Sequence, residues 1–96
     1  MTQVQLELVG HSLGINVYHC LRSKRRSDRK LPQEFYRNYF QGGEGSDSYE
    51  ELLKLESSGI MVRREHIDND YFHVTDKGKE IFRIEFAVAI SKNINK

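Results

Sequence analysis

The chain has 96 residues with one Pro, one Cys, seven Gly and no Trp, and its 15 basic and 14 acidic side chains leave a formal net charge of +1. That length holds one small domain with a modest core; a single Cys excludes a disulfide framework, no apolar run is long enough for a membrane span, and without a basic-then-apolar leader a cytoplasmic protein is the expectation. The near balance excludes a polycation or polyanion, yet the charges are segregated: residues 22–30 hold six bases and one acid, and residues 44–56 hold five acids and one base.

Residues 3–21 have helical spacing. Leu6, Val9, Leu13, Val17 and Leu21 recur at steps of three and four and share a face, widened by Leu8, Ile15 and Tyr18. Gly10 and Gly14 sit inside this stripe, and each costs about 1 kcal/mol of helix propensity against Ala. They mark a close helix contact or a break near His11-Ser12, and the expectation is one helix with a kink. The stretch 22–30 has no apolar side chain, so it reads as a solvated helix end or loop. Pro32 suits the first turn of a second helix, over which Phe35 and Tyr39, and Tyr36 and Phe40, pair at i,i+4 until Gln41-Gly42-Gly43-Glu44-Gly45 stops it.

Ser46, Asp47 and Ser48 are competent N-caps for a third helix, and Ser48 with Glu51 has capping-box spacing. Tyr49, Leu52, Leu53 and Leu55 form its apolar side, acids in its first turn suit the helix dipole, and Gly59 ends it. Ile60 to Glu65 reads as a strand, Ile67-Asp68-Asn69-Asp70 as a turn, and Tyr71 to Thr75 as the return strand, with Phe72 and Val74 on its apolar face. Thr75 caps a last helix running from about Asp76 into the low 90s. Ile81, Phe82, Ile84, Phe86, Val88, Ala89 and Ile90 nearly encircle it. The expected architecture is a single α+β domain over residues 1–96: three N-terminal helices, a two-stranded β-hairpin and a C-terminal helix.

Two segments carry a family resemblance. Ser58-Gly59-Ile60-Met61 ends a helix in Gly and an apolar pair, and Phe72-His73-Val74-Thr75-Asp76-Lys77-Gly78 follows the pattern aromatic-x-Val-Thr-x-x-Gly into a helix. Over Tyr49 to Arg83 this resembles the end of a winged helix-turn-helix domain, as in bacterial repressors of the MarR and PadR type. The resemblance implies that the hairpin is a wing, that the third helix occupies the recognition position, and that the terminal helix makes a homodimer. A second set, Leu13-Gly14, Phe35-Tyr36-Arg37-Asn38-Tyr39-Phe40, Gly43-Glu44-Gly45-Ser46, Gly59-Ile60-Met61 and Phe72-His73-Val74-Thr75, is similar to small phage and prophage proteins that carry no assigned activity. It covers most of the chain, leaves out residues 22–30 and the C-terminal tail, and implies a phage origin without a mechanism.

The basic run Arg22, Lys24, Arg25, Arg26, Arg29 and Lys30 points to phosphates, since clustered cations bind them with counterion release; the plain alternative is a solubilising loop. The third helix would turn Asp47, Glu50, Glu51, Lys54 and Ser57 outward, a face repelled by the phosphate rows that flank a major groove. Arg63 and Arg64 lie on the wing but alternate to opposite faces, so at most one is aimed at nucleic acid; otherwise they keep an edge strand soluble. Gly42-Gly43-Glu44-Gly45-Ser46 lacks the Lys of a phosphate cradle and reads as a helix-helix loop. Tyr36-Arg37-Asn38 is either a binding patch or core with side chains that satisfy nearby carbonyls.

His11, His19, His66 and His73 with Cys20 lack metal-site spacing, and no paired carboxylates, Ser-His-Asp set or His-Glu-x-x-His motif occurs, so no enzyme, metal or cofactor is expected. The uncharged run Phe86-Ala87-Val88-Ala89-Ile90 must bury itself, which suggests a homodimer through Phe82, Phe86, Val88, Ala89 and Ile90. The leading expectation is a phage-type accessory or regulatory protein that binds duplex nucleic acid through the basic loop and wing. The alternative is a protein-interaction adaptor that uses the acidic third helix. A third possibility is that the two charged segments pair with each other. No membrane partner is expected.

Overall fold

The computed structural model describes residues 1–42, 45, 47–65, 67 and 70–94. Along these run α1 (Gln3–Ser12), α2 (Val17–Arg22), a 3-10 turn (Arg26–Arg29), β1 (Phe40–Gly42), α3 (Tyr49–Ser57), β2 (Met61–Glu65), β3 (Asp70–Val74) and α4 (Asp76–Ile94). The protein is therefore α+β, with four α-helices and a three-stranded antiparallel sheet in the order β1-β3-β2 among the described residues. One core joins all layers: Leu6, Val9, Leu13 and Val17 from the N-terminal pair, Leu52 and Leu55 from α3, Met61, Phe72 and Val74 from the hairpin, and Phe82 and Phe86 from α4. Four of the five positions of the predicted N-terminal stripe are thus buried, and Leu21 packs against the core's edge.

The single helix expected over 3–21 is two helices. Gly14 has φ +83, a left-handed conformation that breaks α1 from α2, and Asn16 restarts the helix by accepting from the His19 amide at 3.0 Å. The Tyr36 ring occupies the space that a Cβ on Gly14 would need. Gly10 stays inside α1, where a Cβ would meet Val17 and Phe82. The two glycines divide the two roles: Gly10 is the close contact and Gly14 the break. At its start, α1 carries a reciprocal capping box, with Gln5 N donating to Thr2 Oγ1 at 3.1 Å and Thr2 N donating to Gln5 Oε1 at 3.0 Å.

The helix expected after Pro32 does not form; the chain is irregular from residue 31 to 39 and then enters β1. The reason lies on β3, whose second edge pairs with this segment: Phe40 with Phe72, Gln41 with Tyr71 and Gly42 with Asp70. Asn38 extends the pairing with its side chain, donating from Nδ2 to Val74 O at 3.0 Å and accepting from Val74 N at 2.7 Å. The aromatics that looked like helical pairs fan out as an extended chain allows, Phe35 onto Phe82, Tyr39 toward Tyr71 and Phe40 onto His11. The predicted two-stranded hairpin is consequently a three-stranded sheet. Three helices still precede the hairpin, because the first split as the second vanished.

Helix α3 begins at Ser48, but that residue makes no side-chain cap. Glu51, its expected partner, instead accepts from Lys54 at 3.2 Å and from Gln5 at 3.1 Å. The helix ends as foreseen: Gly59, at φ +80, donates to Glu56 O and Ile60 donates to Leu55 O, both at 3.0 Å, the paired bonds of a Schellman stop. Thr75 joins this corner to the next. Its amide donates to Ile60 O at 2.9 Å, its hydroxyl lies 2.7 Å from Gly59 O, and the same oxygen accepts from Gly78 N at 3.0 Å to cap α4. Asp68 and Asn69 of the predicted turn lie outside the described residues.

Candidate nucleic-acid interface

The basic segment is folded around its one acid. Ser23 Oγ donates to Asp28 Oδ2 at 2.6 Å, the Arg25 amide donates to Ser23 Oγ at 3.1 Å, and His19 Nε2 lies 3.5 Å from Asp28. The Ser23 hydroxyl, then the His19 ring, holds the Asp28 carboxyl below the usual carboxylate range. Arg29 donates from its guanidinium to Ser23 O at 3.1 and 2.9 Å. Arg22 lies 3.5 Å over the Tyr18 ring and donates to Tyr18 O at 3.1 Å. Two of the six cations are thereby engaged at home. Lys24, Arg25, Arg26 and Lys30 are exposed, and their side chains have no hydrogen bond or ion pair among the described residues. Burial, and then the Asp28 charge, pushes the neighbouring Cys20 thiol up, so this lone cysteine stays protonated at neutral pH.

Arg63 is not available to a nucleic acid. Its guanidinium donates to the Tyr49 hydroxyl at 3.1 Å and lies 3.4 Å from Glu56 and 3.7 Å from Asp70. The Tyr49 bond, then the Glu56 charge, raises its pKa. It clamps the hairpin to α3, on the sheet face where Met61 and Phe72 meet the core. Arg64, one residue on, falls on the opposite face and is exposed. The strand alternation therefore separates the pair, and Arg63 leaves the candidate set.

The acidic helix is answered by the hairpin and by its own Lys54 rather than by the basic segment. Glu56 pairs with Arg63, and Glu51 with Lys54, while Glu50, Asp47 and Ser57 are exposed. No ion pair joins residues 22–30 to residues 44–56 among the described residues. The basic segment packs through α2 onto α1 and α4, whereas β2 packs on α3 and β3. Arg64 and the four exposed cations are therefore carried by elements with different packing partners.

The terminal-helix residues also divide. Phe82 and Phe86 are buried in the protomer's own core, so they do not face a partner. Ala89 and Ile90 are half-buried against that core. Among the described residues the exposed large apolar side chains of α4 are Ile84 and Val88, one turn apart. In the Tyr36-Arg37-Asn38 patch, Tyr36 is almost fully exposed with its hydroxyl toward Gly14 O, and Asn38 serves the backbone of Val74. His66, one of the histidines weighed as a metal ligand, and Gly43, Glu44 and Ser46 of the glycine loop lie outside the described residues. Among the described residues no cluster of three or more His, Cys, Asp or Glu is placed to hold a metal, and no helix is long and apolar enough to cross a membrane.

Comparison with protein-family models, with curated proteins and with solved structures found no match to this chain.

Proposed function

We propose that this protein binds duplex nucleic acid through the exposed cations of the 22–30 segment, on a winged-helix-like scaffold of phage type. The observation that carries the reading is the set Lys24, Arg25, Arg26 and Lys30, exposed and making no side-chain hydrogen bond or ion pair among the described residues, on a turn that Asp28, Ser23 and Arg29 hold in shape. Four cations on one ordered turn bind phosphates with less entropy cost than four on a loose loop. Two features support the scaffold: the hairpin that runs into a Thr-capped helix, and the pair α1 and α2 joined over residues 13–16 by a turn containing Gly14. Two helices joined by a short Gly-containing turn have helix-turn-helix connectivity, and here the second helix leads directly into the basic segment.

The same scaffold accommodates a homodimer through Ile84 and Val88 of α4, which would leave the two basic segments related by a two-fold axis. The adaptor alternative has less to work with, because Glu51 and Glu56 of α3 already have cationic partners. Binding to random-sequence duplex DNA at low salt, compared with the Arg25→Ala/Arg26→Ala variant, tests the reading. Salt-sensitive binding that the double variant abolishes supports it. Absence of binding at low salt leaves the acidic helix and a protein partner as the better account.

A further inference from the structure

One side of α1, the turn after it and the irregular segment before β1 enclose a cleft of about 610 Å³. Val4, Leu8, Ile15 and Phe40 give it apolar walls, and Glu7, His11 and Arg37 stand among them. Hydrogen bonds hold the two sides in place. Tyr39 N donates to Ser12 O at 3.0 Å at the end of α1, and Asn38 is pinned twice to the backbone of Val74. His11 packs edge-on against Phe40, with ring centroids 5.4 Å apart. The cleft is thus formed before anything enters it, and its size is usual for a small-molecule site.

Arg37 is the group in this cleft that the fold does not explain. Its guanidinium lies 4.8 Å from the centroid of the Tyr39 ring, a contact that positions the charge but gives its N–H donors no acceptor. The half-buried side chain makes no hydrogen bond or ion pair among the described residues, and its Nε is buried without a partner. Unpaired donors of this kind cost free energy that an acceptor recovers. Glu7 is half-buried too, and its carboxylate has no hydrogen bond or ion pair among the described residues.

We propose that this cleft binds a small monocarboxylic acid with an apolar body, its carboxylate paired with the Arg37 guanidinium and its body against Leu8, Ile15 and Phe40. A carboxylate suits Arg37 because its two oxygens match the fork of a guanidinium. An apolar body suits the aliphatic and aromatic walls, which offer little to hydrogen-bond. Glu7 limits the charge: a second anionic group in the cleft would meet its carboxylate, and like charges in a partly dehydrated space repel. The ligand class is therefore monoanionic, and dicarboxylates are disfavoured. The site shares no residue with the 22–30 segment, so ligand binding and nucleic-acid binding stand or fall separately.

The test is an NMR titration of the full chain with hydrocinnamate, its neutral amide, acetate and glutarate. Hydrocinnamate is expected to shift the amides of Leu8, His11, Ile15, Arg37 and Phe40 saturably, with a Kd of roughly a millimolar. The amide keeps the body and loses the charge, acetate keeps the charge and loses the body, and each should bind about tenfold more weakly or worse. Arg37→Gln should weaken hydrocinnamate binding about tenfold or more. Glu7→Gln covers the case in which that variant does not fold; it should raise the affinity for glutarate relative to hydrocinnamate about fivefold. The proposal is overturned by a hydrocinnamate titration without saturable shifts, or with shifts that map outside the cleft. Equal binding of the amide, an unchanged affinity in Arg37→Gln, or an unchanged glutarate preference in Glu7→Gln overturns it equally.

Discussion

Arg63 and Arg64 are adjacent in the chain and differ in what surrounds them. Removing the Arg63 side chain leaves Glu56 and Asp70 without their shared cation and the Tyr49 hydroxyl without its donor. Arg63→Ala is expected to lower Tm, because it strips the tie between the hairpin and α3, with nucleic-acid affinity unchanged. Arg64→Ala, at an exposed position, should leave Tm unchanged. Asp28 offers a second check. Its folded pKa is depressed, so as pH falls the unfolded chain takes up the proton first. The stability that ionised Asp28 contributes is therefore present above the ordinary carboxylate value of about 3.9 and fades as pH drops below it. An NMR titration should place the Asp28 midpoint below that value, and Ser23→Ala should move it back up; a midpoint already at the ordinary value would remove Asp28 as the centre of the turn. The basic run was plain in the sequence. Which cations were spent was not, because that depends on where one serine, one tyrosine and one aspartate fall once the turn closes.

Among the elements, the N-terminal helix pair hinges on Gly14. Gly14→Ala places an L side chain in a left-handed conformation, costing about 1–2 kcal/mol on that account alone, and drives its Cβ into the Tyr36 ring. A chemical denaturation midpoint no lower than that of the wild type would mean that residues 13–16 do not need this geometry. The hairpin and α4 were legible because their signals are local: alternation in Tyr71 to Val74, a Gly stop at residue 59 and a Thr cap at residue 75. The Gly in the pattern after Thr75 also has a local reason, since a Cβ on Gly78 would collide with the Ile60 carbonyl. Strand β1 was illegible for the opposite reason. Phe35, Tyr36, Tyr39 and Phe40 fit helical spacing, yet aromatic residues are equally at home in strands. The partner that decides between them, β3, lies some thirty residues downstream in the chain. The reciprocal cap at Thr2 and Gln5 could have been read from its Thr-x-x-Gln spacing, the same signal that misled at Ser48.

For the whole molecule, the net charge of +1 hides three distinct surfaces: a cationic turn, an apolar cleft that holds Arg37 and Glu7, and an acidic helix in which Glu51 and Glu56 pair with Lys54 and Arg63. A fourth, the apolar strip of α4, bears on assembly. Size exclusion with light scattering should give about twice the 11.3 kDa chain mass, and Ile84→Glu/Val88→Glu should return it to the single-chain mass; a wild-type monomer would leave Ile84 and Val88 as ordinary surface side chains. The candidate interface itself was legible as a charge block, whereas the different packing partners of that block and of the hairpin emerged only from the fold. The central claim is that the exposed cations of residues 22–30 neutralise phosphates. It is tested most directly by the slope of log affinity for duplex DNA against log salt, in the wild type and in a variant with Lys24, Arg25, Arg26 and Lys30 changed to Ala. Each lost phosphate contact removes about 0.9 from that slope, so the variant should bind weakly with a slope shallower by up to roughly 3.6; equal slopes in the two proteins would contradict the account.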